Sequence, residues 1–199
     1  MPHEDTSKPT WDLRDAKTCS VLQKSSVTGS DNGRGVADDI SSASAGAEFW
    51  SAAESQLRSA TTGAEVGSKP SMMNFLVYWD GDDYRDLLDG TLINNGSGTR
   101  LLTASGVMSN NYSKATPTLT ADLFGDWREE VIWRAPDSSY LRIYTTTAVT
   151  SRRIYTLMHD PQYRMQVSSE MTAYNQPPHP SFHIGGGMAN PPVPDISVK

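Results

Sequence analysis

Carboxylates are the groups of this chain best placed by type and spacing to do chemistry, and they gather in short clusters around glycine turns. In ADLFGDWREEVIW (121–133), Asp122, Asp126 and Glu130 recur at every fourth position around Gly125. Between two strands, that spacing lets three carboxylates converge inside one loop. Hard oxygen ligands of this kind suit calcium, which accepts about six to eight of them in flexible geometry. Asp39, Ser41 and Glu48 form a looser set with Gly46 permitting the turn, and Asp80 and Asp82 in YWDGDD form a third. A plainer alternative stays open for each. The acids at 122–130 also read as solvated turn residues or as partners of Arg128 and Arg134. For Asp80 and Asp82 the turn reading comes first, because Asp-Gly is a common hairpin turn.

Other reactive residue types do not assemble. His3, His159, His179 and His183 lack the spacing of a zinc site. There is no GxSxG elbow and no phosphate-cradling glycine loop; HIGGGMA (183–189) is followed by no helix. Cys19 is the only cysteine, so it cannot form an internal disulfide, and no histidine is near it in sequence to activate it.

The elements that must position the acids are short β-branched or aromatic runs bounded by Gly, Asp, Asn or Ser: VADDI, AEFWSA, NFLVYWD, TLIN, RLLTA, PTLTADL, EEVIWRA, YLRIYTTT and RRIYTLM. This pattern predicts an antiparallel, all-β protein. ADDISSASAGAEFW (37–50) and ADLFGDWREEVIW (121–133) repeat one theme, a strand ending in acid, a glycine turn, then an acid opening an aromatic strand. Such repetition is how propeller blades look in sequence. The Ser-, Ala-, Gly- and Thr-rich stretch 51–71 reads as a surface excursion, HDPQYRMQVSSEMTA (159–173) as a short helix, and the Pro- and Gly-rich end from Gln176 as a surface tail. Trp127 reads as core.

Composition agrees. The chain has 199 residues, 37% hydrophobic and 20% charged, a single-domain length with no convincing internal boundary. The net charge of −6 argues against nucleic acid and mildly for cations. No apolar run is long enough to span a bilayer, and MPHEDTSKPTWDL has no signal pattern.

From Met73 onward the chain resembles the rhamnogalacturonan lyases of polysaccharide lyase family eleven. The carrying segments are NFLVYWDGD (74–82), LLTASGVMSNNYSKATPTLTADLFGDWREEVIWR (101–134), LRIYTTT (141–147), RRIYTLMHDPQYR (152–164) and AYNQPPHPSF (173–182), with HED (3–5), WDLRDA (11–16) and GRGVADDI (33–40) upstream. The resemblance covers nearly the whole chain and is thinnest at 51–70. It implies the C-terminal portion of an eight-bladed β-propeller, a single catalytic-domain fragment spanning 1–199. Met1 would then fall in mid-domain, with any export signal upstream of a secreted parent.

The resemblance also implies calcium as cofactor and a polysaccharide, rhamnogalacturonan, as partner, with the full-length protein a monomer. Its reaction is β-elimination, which removes the proton at C5 of galacturonate, and that proton is barely acidic while the adjacent carboxylate keeps its charge. Cations on the carboxylate, a base, and a donor for the departing oxygen are therefore required. By the same resemblance Arg34 and calcium neutralise the carboxylate, Lys114 is the base, and Asn111, Ser113 and Tyr174 hold the sugar. The family's loop commonly reads Asn-Gly-Thr-Lys, whereas here it is Asn111, Tyr112, Ser113 and Lys114. The bulky Tyr112 puts subsite preference in question. Two other readings remain: a non-catalytic, calcium-stabilised propeller that binds carbohydrate, and an inactive fragment with open strand edges.

Overall fold

Thirteen strands form four separate antiparallel sheets in the computed structural model, which describes residues 5–172 and 175–195. β1 (Asp12–Arg14) and β2 (Val21–Lys24) make a hairpin. β3 (Gly35–Asp38), β4 (Glu48–Ser51), β5 (Gln56–Ser59) and β6 (Glu65–Ser68) make a four-stranded meander. A second meander follows, β7 (Phe75–Val77), β8 (Asp86–Asp89), β9 (Leu92–Asn94) and β10 (Arg100–Thr103). The last sheet has β11 (Leu119–Ala121), β12 (Glu130–Arg134) and β13 (Leu141–Tyr144). Each strand pairs only with its sequence neighbours, and no sheet closes into a barrel.

The three larger sheets stack face to face because the middle one, β7–β10, is apolar on both sides. Side chains alternate across a strand, and β7 uses both faces. Phe75 and Val77 pack with Leu88, Ile93, Val131 and Trp133 toward the last sheet, β11–β13. Leu76 packs with Leu87, Val36, Trp50 and Leu57 toward the first meander, β3–β6. Trp133 adds a hydrogen bond, its indole N–H donating to the Gly90 carbonyl at 2.9 Å, which fastens β12 to the β8–β9 turn. A third cluster of Tyr78, Trp127, Leu157, Tyr163 and Ile184 brings the C-terminal segment onto the sheets, with Trp127 in the core as expected.

One device recurs in three sheets. The first residue of each second strand is a buried acid, Glu48, Asp86 or Glu130. Each turns its carboxylate back onto amides just beyond the preceding strand. Glu48 accepts from Ile40 at 3.0 Å, Asp86 from Trp79 at 3.2 Å and Asp80 at 3.0 Å, and Glu130 from Leu123 at 2.9 Å and Phe124 at 3.1 Å. The carboxylates satisfy amides that leave the ladder, where an unpaired buried group would cost about 1–3 kcal/mol. Sequence reading caught the first and third copies; the Asp-Gly turn at 80–81 masked the second.

Three expectations are corrected. The end from Gln176 is not a surface tail: Pro177, Pro178 and Ile184 are buried, and Ile184 joins the third cluster. The stretch 51–71 is not a mere excursion: it carries β5 and β6, the outer strands of the first meander. β6 is largely solvent-exposed, so it needs no apolar alternation and left no periodic signal. RRIYTLM is not a strand; it runs outside regular structure and ends in a 3-10 turn, Leu157–His159. The expected helix is present as α1 (Pro161–Ser169), with Pro161 in its first turn where the missing N–H has no helical partner anyway.

Candidate active site

Three sheets present their entrances to one place. Arg34 immediately precedes β3, Asn74 immediately precedes β7, and the loop Asn110–Thr116 leads to β11. The Arg34 loop is held by Asn32, fully buried, whose side chain donates to the Thr10 carbonyl at 2.8 Å and accepts from the Ala53 amide at 3.0 Å. The other loop is pinned by paired backbone bonds between Asn110 and Thr116 at 2.8 and 3.1 Å.

The Arg34 guanidinium donates to two carbonyls from different parts of the chain, Asn74 and, at 3.4 Å, Asn175. Its Nε is buried and has no partner, and among the described residues no carboxylate lies within ion-pair distance of it. Its nearest negative charge is Asp89, one residue removed: Asn74 donates to Asp89 at 2.9 Å while its carbonyl accepts from Arg34. Burial lowers the Arg34 pKa, with Asp89 opposing. The group remains a cation, given its ordinary value above about 12. The charge is positioned by neutral oxygens and keeps its attraction for a further anion.

The same two asparagines hold the second loop. Asn74 also donates to the Ser113 carbonyl at 3.3 Å. Asn111 donates to the Asn175 side-chain oxygen at 2.8 Å and to Thr116 Oγ1 at 2.7 Å. Asn175, itself 2% exposed, donates to the Glu170 carbonyl at 2.8 Å. Arg34, Asn111 and Ser113 are therefore brought together, with half-buried Lys114 next along the loop. Tyr174 lies outside the described residues. A groove of about 410 Å³ lined by Trp11, Val36, Phe49, Trp50 and Pro177 begins beside the site, since Gly35 and Gln176, the neighbours of Arg34 and Asn175, also line it. Asn74, Asp89 and Asn175 were not singled out in the sequence, where nothing marks an asparagine as a bridge between distant loops.

Behind the site lies a buried ionic network. Arg85, with no exposed surface, pairs with Glu129 at 2.8 Å and Asp38 at 3.0 Å, lies 3.9 Å from the Tyr78 ring centre and donates to the Pro178 carbonyl. Glu129 also accepts from Tyr163 at 2.6 Å and from the Tyr78 amide at 2.8 Å. These contacts join all three larger sheets to α1 and to the C-terminal segment that carries Asn175.

The acidic loops do not supply a finished metal site: among the described residues, no group of three or more His, Cys, Asp or Glu side chains is arranged to hold an ion. Asp122 accepts from the amides of Gly125, Asp126 and Leu157 at 2.8, 3.0 and 2.7 Å. Glu130 is taken by Leu123, Phe124 and, at 3.0 Å, Thr145. Asp126 turns to Arg128. Their oxygens accept from N–H and O–H donors, the amides of 123–126 in the same loop among them, which holds the turn closed. Asp39 and Glu48 lie close enough to interact; burial, then Glu48, pushes Asp39 up to about 6, while the Gly186 amide at 2.8 Å opposes. Asp39 Oδ1 is buried without a partner. At the third loop, burial raises Asp82, and Asp80 and Asp83 add to it; Asp86 is raised well above its ordinary value by burial and by Asp80 and Asp82. Mutually repelling acids of this kind come nearest to what a cation would relieve.

Comparison with known proteins follows the same outline. Residues 1–194 match the family model described as rhamnogalacturonan lyase family 11, C-terminal domain. Over 98% of its length the chain is 51% identical to rhamnogalacturonan endolyase YesW of Bacillus subtilis and 44% identical to rhamnogalacturonan exolyase YesX of the same organism, covering 32% and 35% of those proteins. The crystal structure of YesW superposes over 100% of the chain with a TM-score of 0.92, and a Bacillus licheniformis rhamnogalacturonan lyase over 99% with 0.91 at 46% identity; the chain covers 34% of each. The chain thus spans about a third of the length of the relatives it matches.

Proposed function

The chain belongs to rhamnogalacturonan lyase family 11, and from that membership we propose that it forms the part of a polysaccharide lyase that cleaves rhamnogalacturonan by β-elimination. One observation carries the reading: Arg34 is a partly buried cation held by backbone carbonyls rather than by a carboxylate, on the same two asparagines that fix the Lys114 loop. An arginine so placed takes a uronate carboxylate as its missing counter-ion.

In the proposed reaction the Arg34 guanidinium neutralises the galacturonate carboxylate and so acidifies C5–H. A preorganised cation acts most strongly where charge develops in the transition state. Lys114 in its neutral form takes the C5 proton; the C–H electron pair becomes the C4=C5 double bond as the C4–O4 bond breaks, and the departing oxygen takes a proton from water, which the Lys114 ammonium later restores. A lysine acts as a general base through its uncharged amine lone pair. Asn111, Ser113 and Tyr174 are proposed to hold the sugar. The three larger sheets, stacked in chain order, suit an eight-bladed propeller completed by the remainder of a parent about three times as long, acting outside the cell as a monomer.

Calcium is proposed to steady the acidic turns, foremost Asp80 and Asp82 with Asp86 behind them, where a divalent charge offsets their repulsion. No step of the elimination is assigned to it. The reading is tested with the full-length protein on rhamnogalacturonan, following the ultraviolet absorbance of the unsaturated uronate. Lys114→Ala should abolish its formation while binding of the polymer persists. Turnover near that of the unaltered protein would remove Lys114 from its role. Binding without any unsaturated product from the unaltered protein would favour the carbohydrate-binding alternative.

A further inference from the structure

Tyr112 stands at the tip of the Asn111–Lys114 loop with its whole side chain in solvent, 100% exposed. Its backbone has φ of 50°, between Asn111 at 61° and, further on, Ala115 at 44°. That left-handed region suits glycine and tolerates asparagine, but for a bulky side chain it is an outlier. The loop beneath does not yield. Asn111 is tied to Thr116 and Asn175, the Ala115 amide donates to the Tyr112 carbonyl at 3.0 Å, and the Ala115 carbonyl accepts from Gly90 at 2.9 Å.

The ring therefore contributes no packing to the fold, and its backbone conformation works against a side chain at this position. Strained backbone clusters at sites that meet a ligand, and this loop already carries Asn111, Ser113 and Lys114 beside Arg34. We propose that Tyr112 is a sugar-stacking platform, a binding element that lays its ring against the C–H face of a pyranose next to the bond being cut. This rests on reading the Asn111–Lys114 loop as the substrate loop. An aromatic ring presents an apolar face and a polar edge, which matches a sugar with axial C–H groups on one side and hydroxyls around its rim. A rigid loop helps, because little ordering remains to oppose binding.

The test uses the full-length enzyme and steady-state kinetics on rhamnogalacturonan with three forms: unaltered, Tyr112→Gly and Tyr112→Phe. Glycine suits the backbone, so Tyr112→Gly should unfold at the same temperature or higher. It should also raise KM by about three- to tenfold with kcat within about twofold, the mark of lost uniform binding. Tyr112→Phe keeps the ring and should stay within about twofold of the unaltered KM. An unchanged KM in Tyr112→Gly, with the unaltered enzyme making product, overturns the platform and leaves the lyase reading standing. If Tyr112→Phe is as impaired as Tyr112→Gly, the hydroxyl and not the ring is responsible, and the stacking role is overturned. Absence of product from the unaltered protein sinks the lyase reading and this inference with it.

Discussion

Replacing Arg34 by lysine keeps the charge and removes the fork, which makes it the sharpest probe of the proposed site. The guanidinium reaches two carbonyls at once, that of Asn74 and that of Asn175 at 3.4 Å. A single ammonium cannot span both and still face a substrate carboxylate. Losing one charge-assisted bond costs about 1.5–3 kcal/mol. At about 1.4 kcal/mol per decade, that predicts at least a tenfold fall in kcat/KM for Arg34→Lys. Full removal in Arg34→Ala should lower kcat by about a hundred- to a thousandfold, as expected for one preorganised donor. The alanine form also leaves the Asn74 and Asn175 carbonyls, in residues 9% and 2% exposed, without their donor, a stability cost of about 1–3 kcal/mol each. The lysine form largely avoids that confusion. The assay is initial-rate formation of unsaturated uronate by the full-length protein, with thermal unfolding in parallel. An Arg34→Lys enzyme within about twofold of the unaltered kcat/KM, equally stable, would refute the argument that held geometry and not charge alone is used.

Three further outcomes are expected. Arg85→Met strands Glu129 as a buried acid without its cation, leaves Asp38 paired with His179 at 3.3 Å, and should destabilise by about 3–5 kcal/mol in denaturant titration; a loss under about 1 kcal/mol would contradict the network. Burial, with Glu129 adding, pushes Glu170 up to about 9, so the folded chain keeps a proton that the unfolded chain loses near pH 4. The raised value means this contribution is full below pH about 4 and declines as pH rises toward 9, by about 1.4 kcal/mol per unit. Glu170→Gln, uncharged throughout, should therefore show a flatter melting temperature between about pH 5 and 9 than the parent, and parallel curves would argue against it. Calcium should raise the unfolding temperature, Asp82→Asn should remove most of that rise, and Asp126→Ala, whose carboxylate is already taken by Arg128, should keep it; the reverse ranking would move the ion to the other loop.

The sequence by itself determined the strands whose apolar residues are buried, because alternation and β-branching leave a mark wherever a face must leave water: NFLVYWD and EEVIWRA became β7 and β12. It also marked the acid–turn–acid segments, since each needs a particular residue type at a particular offset. It could not mark β6, whose exposed edge imposes no pattern, nor reject RRIYTLM, whose alternation is met by packing without a ladder. Arg34, Asn111, Ser113 and Lys114 were reached by resemblance, not by spacing. Only the tertiary structure decided what holds them. Asn175 meets Arg34 across 141 positions of chain and Asn111 across 64, and Arg85 meets Glu129 across 44. It also showed the acids of 122–130 capping their own loop amides. The physical reason is common to both. A carboxylate or an amide oxygen has the same sequence signature whichever donor it finds, and the donor is chosen by how the sheets stack.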